Sequence, residues 1–182
     1  MKRSEKGLVY IALYVDENLV VGHPEAIKQV IQDLRENGLI LKIDNDLTDY
    51  LSCEIKFSDN RKSAWLGQPH LIANLEKSFG KQVKGMRSYA TPGTPGKIMI
   101  REKDEAQLIS KEDQKLYQSG VGMLLYLVKH SRPDIANPVQ KLSKVLDGAK
   151  HEAFKDILRV IKYVLDTKHM GLRMEPIDGS ET

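Results

Sequence analysis

Two apolar runs lie near the start of the chain, a helical spacing follows, apolar and polar positions alternate from Tyr50 to Phe57, and the spacing is then helical almost to the end. Residues 8 to 22 read Leu-Val-Tyr-Ile-Ala-Leu-Tyr-Val-Asp-Glu-Asn-Leu-Val-Val-Gly, two β-prone apolar runs around the acidic pair Asp16 and Glu17. That pattern predicts a hairpin turning at the two carboxylates. From Pro24 to Asn37 the spacing is helical, with Pro24 in the first turn, Ile27, Val30, Ile31 and Leu34 on one face, and Gly38 as the stop. Leu39 to Ile43 reads as a short buried strand. Tyr50 to Phe57 alternates, Leu51, Cys53, Ile55 and Phe57 against Ser52, Glu54 and Lys56. Ser58-Asp59-Asn60 supplies a turn and Ser63 to Leu66 the returning strand.

Beyond these strands the apolar spacing is helical. Gln68 to Phe79 predicts a helix opened by Pro69 and stopped by Gly80, with Leu71, Ile72, Leu75 and Phe79 inward. Thr91-Pro-Gly-Thr-Pro-Gly96 reads as a linker. Ser110 and Asp113 resemble a capping box ahead of an apolar face of Leu116, Val121, Leu124, Leu125 and Val128. Pro133 opens a helix toward Gly148 in which Pro138 should cause a kink or delay the start. Ala149 to Lys168 predicts a last helix, with Phe154, Ile157, Leu158, Ile161, Val164 and Leu165 inward. Gly171-Leu-Arg-Met-Glu-Pro reads as the beginning of one more strand that leads nowhere. The expected class is α+β, antiparallel strands with a packed helix first and helices after.

Composition narrows the class. With 182 residues, 41% apolar and 29% charged, the chain is long enough for a real core, and no apolar run approaches the roughly 20 residues a bilayer requires. The first seven residues are too charged for a signal peptide, and the lone Cys53 excludes an internal disulfide. An intracellular protein, cytoplasmic or nuclear, without a membrane partner is expected. The net charge of +3 conceals a gradient: residues 13 to 60 hold 4 basic and 10 acidic groups, and residues 61 to 101 hold 8 basic groups and one acid, Glu76. Such a gradient suits a metal-binding end beside a polyanion-binding surface, or ordinary surface variation.

Two candidate sites follow. An acidic hairpin tip can present Asp16 and Glu17 to a divalent cation, although acidic residues also favour plain turns. Lys77, Lys81, Lys84 and Arg87 lie on or just after the second helix, where they can neutralise phosphates or form a solvated face. Trp65 reads as a stacking residue or a hairpin anchor, and Arg132-Pro133-Asp134 as a cap that pairs charges or a phosphate contact. The five histidines lack metal-ligand spacing.

Tyr14-Val15-Asp16-Glu17 closely resembles the Tyr-Val-Asp-Asp box of reverse transcriptases of copia-type LTR retrotransposons. Later segments resemble the same family in the same order. They are Tyr50-Leu-Ser-Cys-Glu-Ile55, Gln68 to Phe79, Tyr117 to Val128 with Arg132-Pro-Asp-Ile135, and Arg159 to Lys168 with Gly171-Leu172. The resemblance covers about residues 8 to 175. It implies a partial polymerase palm with the catalytic hairpin over residues 1–67, a basic thumb helix and linker over 68–97, and a helical connection over 98–182 leading toward an RNase H domain. It also implies Mg²⁺ held by Asp16 and Glu17, a template-primer of RNA and DNA gripped by the basic residues, and dNTP as substrate of the complete enzyme.

Two departures weaken catalysis. Glu17 stands where the family has Asp, one methylene longer, and Mg²⁺ tolerates displaced ligands poorly. The palm strand that carries the family's first metal-binding Asp, and the fingers, precede the matched region, so a fragment inactive alone is expected. The alternatives are a non-catalytic nucleic-acid-binding remnant and a degenerate gene product. An unpaired apolar edge on the opening hairpin would favour self-association.

Overall fold

The computed structural model describes residues 2–4, 6–15, 17–100, 104 and 107–176. The described residues form five α-helices and two small antiparallel sheets, a mixed α+β architecture. The chain divides into two compact units, Met1–Leu51 and Ser52–Thr182.

The first unit contains β1 (Lys2–Ser4), β2 (Gly7–Tyr14), β3 (Glu17–Gly22), α1 (Pro24–Glu36) and the two-residue β4 (Asp49–Tyr50). β1, β2 and β3 form an antiparallel sheet in that order, with Val9 opposite Gly22 and Tyr14 opposite Glu17. Alternation sends Val9, Ile11 and Val20 to one face, where Ala26, Ile27, Val30 and Leu34 of α1 cover them. The other face carries Tyr10, Ala12 and Val21, and Tyr10 and Val21 are exposed. α1 follows the extended His23 with Pro24 in its first turn, and Gly38 beyond it takes φ +87°, which a side chain would resist.

Two features depart from the sequence pattern. β1 pairs Lys2 with Val9 and Ser4 with Gly7, so β2 is central and β1 and β3 are the outer strands of this sheet. Leu39 to Ile43 is not a buried strand: the segment is irregular and Ile40 is 100% exposed. An apolar run becomes a strand only where another strand supplies its hydrogen bonds, and none of the described residues pairs with it.

The second unit contains β5 (Cys53–Phe57), β6 (Ala64–Gly67), α2 (Pro69–Val83), α3 (Lys111–His130), a 3₁₀ turn (Pro133–Ile135), α4 (Ala136–Ser143), α5 (His151–Asp166) and β7 (Leu172–Met174). β5 begins at Cys53 rather than Tyr50, because Leu51 and Ser52 take φ of +51° and +60° and interrupt the extended chain. The predicted turn is present: Ser58 N–H donates to the Ser63 carbonyl at 2.9 Å, and Asn60 Oδ1 accepts from Lys62 N–H at 3.0 Å. α2 runs through Gly80 to Val83, since burying Phe79 and Val83 on either side outweighs the roughly 1 kcal/mol propensity cost of glycine.

α5 packs against α2, α3 and α4 around Phe79, Tyr117, Leu124, Leu127, Ile157 and Ile161. Ser110 caps α3 as expected, accepting from Asp113 N–H at 3.1 Å, and its hydroxyl donates to Asp113 Oδ2 at 2.9 Å. The buried face of α3 is Tyr117, Gly120, Val121, Leu124 and Leu127, and the predicted Leu125 is exposed. Met123 to Val128 is apolar throughout, so periodicity alone could not choose the face. Pro138 delays the helix as anticipated: α4 starts at Ala136, which places the proline in the first turn where its missing N–H is harmless.

The terminal strand has a partner. β7 pairs antiparallel with β6, Leu66 opposite Leu172 and Ala64 opposite Met174, so the hairpin and the end of the chain share one sheet. Gly171 permits the approach, since a Cβ there would lie 2.3 Å from the Leu66 carbonyl oxygen. Thr91 to Gly96 is irregular as its composition predicts, and α5 holds it: Arg159 donates to the Thr91 carbonyl and to Thr94 Oγ1, the latter at 2.9 Å.

Candidate functional site

β2 and β3 stay paired as far as Tyr14 and Glu17, and Val15 lies in the turn beyond Tyr14. Val15 has φ +37°, a conformation that a β-branched residue resists. Asp16, the first candidate metal ligand, lies outside the described residues. Glu17 begins β3 and is exposed; its Oε2 accepts from Leu51 N–H at 3.1 Å. Asn18 Oδ1 accepts from Tyr14 N–H at 3.3 Å across the turn. Among the described residues no group of three or more His, Cys, Asp or Glu converges. Mg²⁺ takes near-octahedral oxygen coordination, and of the two candidate carboxylates Glu17 is the one described, with one oxygen accepting from a backbone N–H.

The basic candidates fall into two groups. Lys77 and Lys81 on α2 and Lys84 at its C-cap are all exposed, and their spacing of four and three residues sets them along one stripe. The stripe lies opposite the buried Ile72, Leu75, Phe79 and Val83. Lysines in the last turn also complement the helix dipole, which is a structural reason for part of the stripe. Arg87 stands apart beyond the helix, its guanidinium 5.3 Å from the Tyr89 ring, over which Arg159 also lies at 4.7 Å.

Two residues take their structural readings. Trp65 lies half-buried against Gly67 and Gly171, with the Lys56 ammonium 5.2 Å from its ring, and so anchors the sheet. Arg132 is not free to hold a phosphate. Its side chain is 1% exposed, with Nε and Nη2 donating to the Asp134 carboxylate and Nη1 and Nη2 to Thr167. Burial alone would raise the Asp134 carboxyl, but the hydrogen bond and charge of Arg132, with a bond from Tyr163, hold it below the usual carboxylate range. Burial and the neighbouring Asp134 push the Tyr163 hydroxyl upward.

One feature was not anticipated. A cleft of about 380 Å³ lies between residues 91–99 and the helices α4 and α5, with Lys141 and Arg159 in its lining and Lys97 paired to Asp156 at 2.6 Å. Only the Thr-Pro-Gly composition of 91–96 marks it in the sequence.

Known proteins resemble the chain over most of its length. The retrovirus-related Pol polyprotein from transposon TNT 1-94 of Nicotiana tabacum is 28% identical over 177 residues, 87% of this chain. A transposon Ty5-1 protein of Saccharomyces cerevisiae is 27% identical over 176 residues, 94% of this chain. The chain is similar to a retrotransposon Pol region. It spans 12% of the first protein and 54% of the second, less than two thirds of either. No family model matches the chain, and no solved structure does. No helix among the described residues is long and apolar enough to cross a membrane.

Proposed function

We propose that this chain is part of a copia-type retrotransposon reverse transcriptase, comprising the C-terminal part of the palm with its catalytic hairpin, the thumb, and the helical connection. The observation that carries this reading is the β2–β3 hairpin, paired as far as Tyr14 and Glu17 on either side of the box sequence, in a chain similar along most of its length to transposon Pol proteins. In the complete enzyme Asp16 and Glu17 would contribute to holding Mg²⁺, which in such polymerases activates the primer hydroxyl and binds the triphosphate of the incoming dNTP. Lys77, Lys81, Lys84 and Arg87 would contact template-primer phosphates inside the cell. By itself the chain would not polymerise, because Glu17 stands where the family has Asp and Mg²⁺ tolerates displaced ligands poorly.

Primer extension on a primed RNA template with Mg²⁺ or Mn²⁺ tests catalysis. No product is expected from this chain alone, and robust incorporation that disappears in Asp16→Ala would overturn that expectation. The exposed lysine stripe favours a second reading, a nucleic-acid-binding module without catalysis. Both readings predict binding to an RNA–DNA duplex that weakens steeply with salt. Replacing Lys77, Lys81 and Lys84 by Gln should flatten log K against log[salt] by about 0.9 for each phosphate no longer neutralised. Fluorescence anisotropy showing no binding at low salt would count against both.

A further inference from the structure

The open edge of β3 is built for a strand, and its geometry suits a copy of itself. Tyr14 and Glu17 are the last paired residues of the hairpin, with two residues between them in sequence, and the closing pair of such a hairpin is hydrogen-bonded. Bonding then alternates along β3, so Asn18, Val20 and Gly22 direct their N–H and C=O groups away from β2. Within the first unit no described strand lies on that side. Edge strands are usually protected by a proline, a lysine or a bulge. Residues 18 to 22, Asn-Leu-Val-Val-Gly, contain no charge and no proline.

We infer that β3 pairs antiparallel with β3 of a second copy of this chain, about a two-fold axis at Val20. That register sets Asn18 opposite the other copy's Gly22, with outward N–H and C=O groups matched on both strands. It also sets Leu19 opposite the second Val21, on the same face as the exposed Tyr10, so the uncovered apolar faces of the two sheets join. Finally it sets Glu17, whose Oε2 accepts from Leu51 N–H and whose other oxygen remains available, opposite the second His23 at each end of the seam. This match of apolar with apolar and acid with base along one symmetric register selects a second copy over an unrelated strand. The inference does not depend on the polymerase reading, since it uses only the edge and its register.

Sedimentation equilibrium on the whole chain tests it, with circular dichroism as the control for folding. A concentration-dependent monomer–dimer equilibrium is expected. Val20→Pro removes an outward N–H that β2 does not use, and should weaken the dimer by about tenfold or more. Glu17→Lys and His23→Glu should each weaken association, and the double variant should recover to within about threefold of the parent, because the opposed charges are then exchanged. If Val20→Pro fails to fold, the charge-exchange set decides alone. A chain that stays monomeric up to a concentration on the order of 200 μM overturns the inference. So does a dimer, or a larger assembly, indifferent to the charge variants, which would point to another surface or another strand on this edge.

Discussion

Arg132 holds Asp134, two residues along the chain, through paired bonds from Nε and Nη2, each 2.9 Å long, and its side chain is almost completely buried. The same guanidinium reaches the carbonyl and hydroxyl of Thr167, the C-cap of α5, at 3.2 and 2.8 Å. Residues 35 apart in sequence are thereby joined by one cation, which ties the 3₁₀ turn before α4 to the end of α5.

Removing that cation should be costly. Arg132→Met keeps much of the volume but leaves Asp134 without its charge partner and the Thr167 carbonyl without a donor. Because Asp134 retains some solvent access, a loss of about 3 kcal/mol is expected, at the low end for breaking a buried pair. Urea denaturation followed by circular dichroism measures it, and a change below about 1 kcal/mol would show that the network contributes little.

Acid should reproduce part of the loss. The Asp134 carboxyl is held low against the opposing effect of burial, and the hydrogen bond from Lys162, with a smaller one from Ser88, holds Asp166 low. A carboxylate with a depressed folded pKa binds protons more tightly in the unfolded chain. Its contribution is therefore fully present above the ordinary carboxylate value of about 4 and is lost as pH falls through the lower folded value. The midpoint of thermal unfolding should drop steeply over that acidic window, and Arg132→Met should show a shallower drop.

Strain at the hairpin tip should be relievable. Val15 is 92% exposed and holds φ +37°, so its side chain contributes almost no packing to offset the backbone cost. Val15→Asn, a residue that tolerates this region, should stabilise the hairpin by about 1 kcal/mol. Hydrogen exchange at the β2 and β3 amides is the suitable measurement, with slower exchange expected in the variant. Unchanged or faster exchange would show that the turn carries no releasable strain.

Two glycines in α3 should respond oppositely to the same substitution. At Gly120 a Cβ would stand 2.6 Å from Phe79 Cζ and 2.9 Å from Ile157 Cδ1, so Gly120→Ala overpacks the seam and should cost about 1–3 kcal/mol. At Gly122 nothing lies within 4 Å, and Gly122→Ala should stabilise by about 0.5–1 kcal/mol through helix propensity alone. Thermal unfolding of the two variants decides. The same sign for both would mean that α3 does not pack against α2 and α5 in this way.

Much of the fold was legible before the structure. The pairing of β2 with β3, the helix from Pro24, the Ser58–Asn60 turn and the Ser110 cap all rest on signals within a few residues of one another, and each element forms. The candidate site was less legible. The spacing of Lys77, Lys81 and Lys84 was visible, but that Lys81 and Lys84 continue the stripe of Lys77 depends on α2 passing Gly80, which the burial of Phe79 and Val83 explains. The engagement of Glu17 by Leu51 N–H, 34 residues away, has no signature in the sequence.

The sequence by itself therefore determined the local elements, through period, turn residues and caps, and supplied the similarity to transposon Pol proteins. Tertiary structure decided which apolar runs became strands: Leu172 to Met174 did because β6 was there to pair with it, and Leu39 to Ile43 did not because no described strand was. It also decided that Arg132 is a buried tie rather than a phosphate ligand, and that β3 is an outer strand of the first sheet while β2 is central. Backbone pairing and burial depend on groups brought together from distant parts of the chain, which a local pattern does not encode.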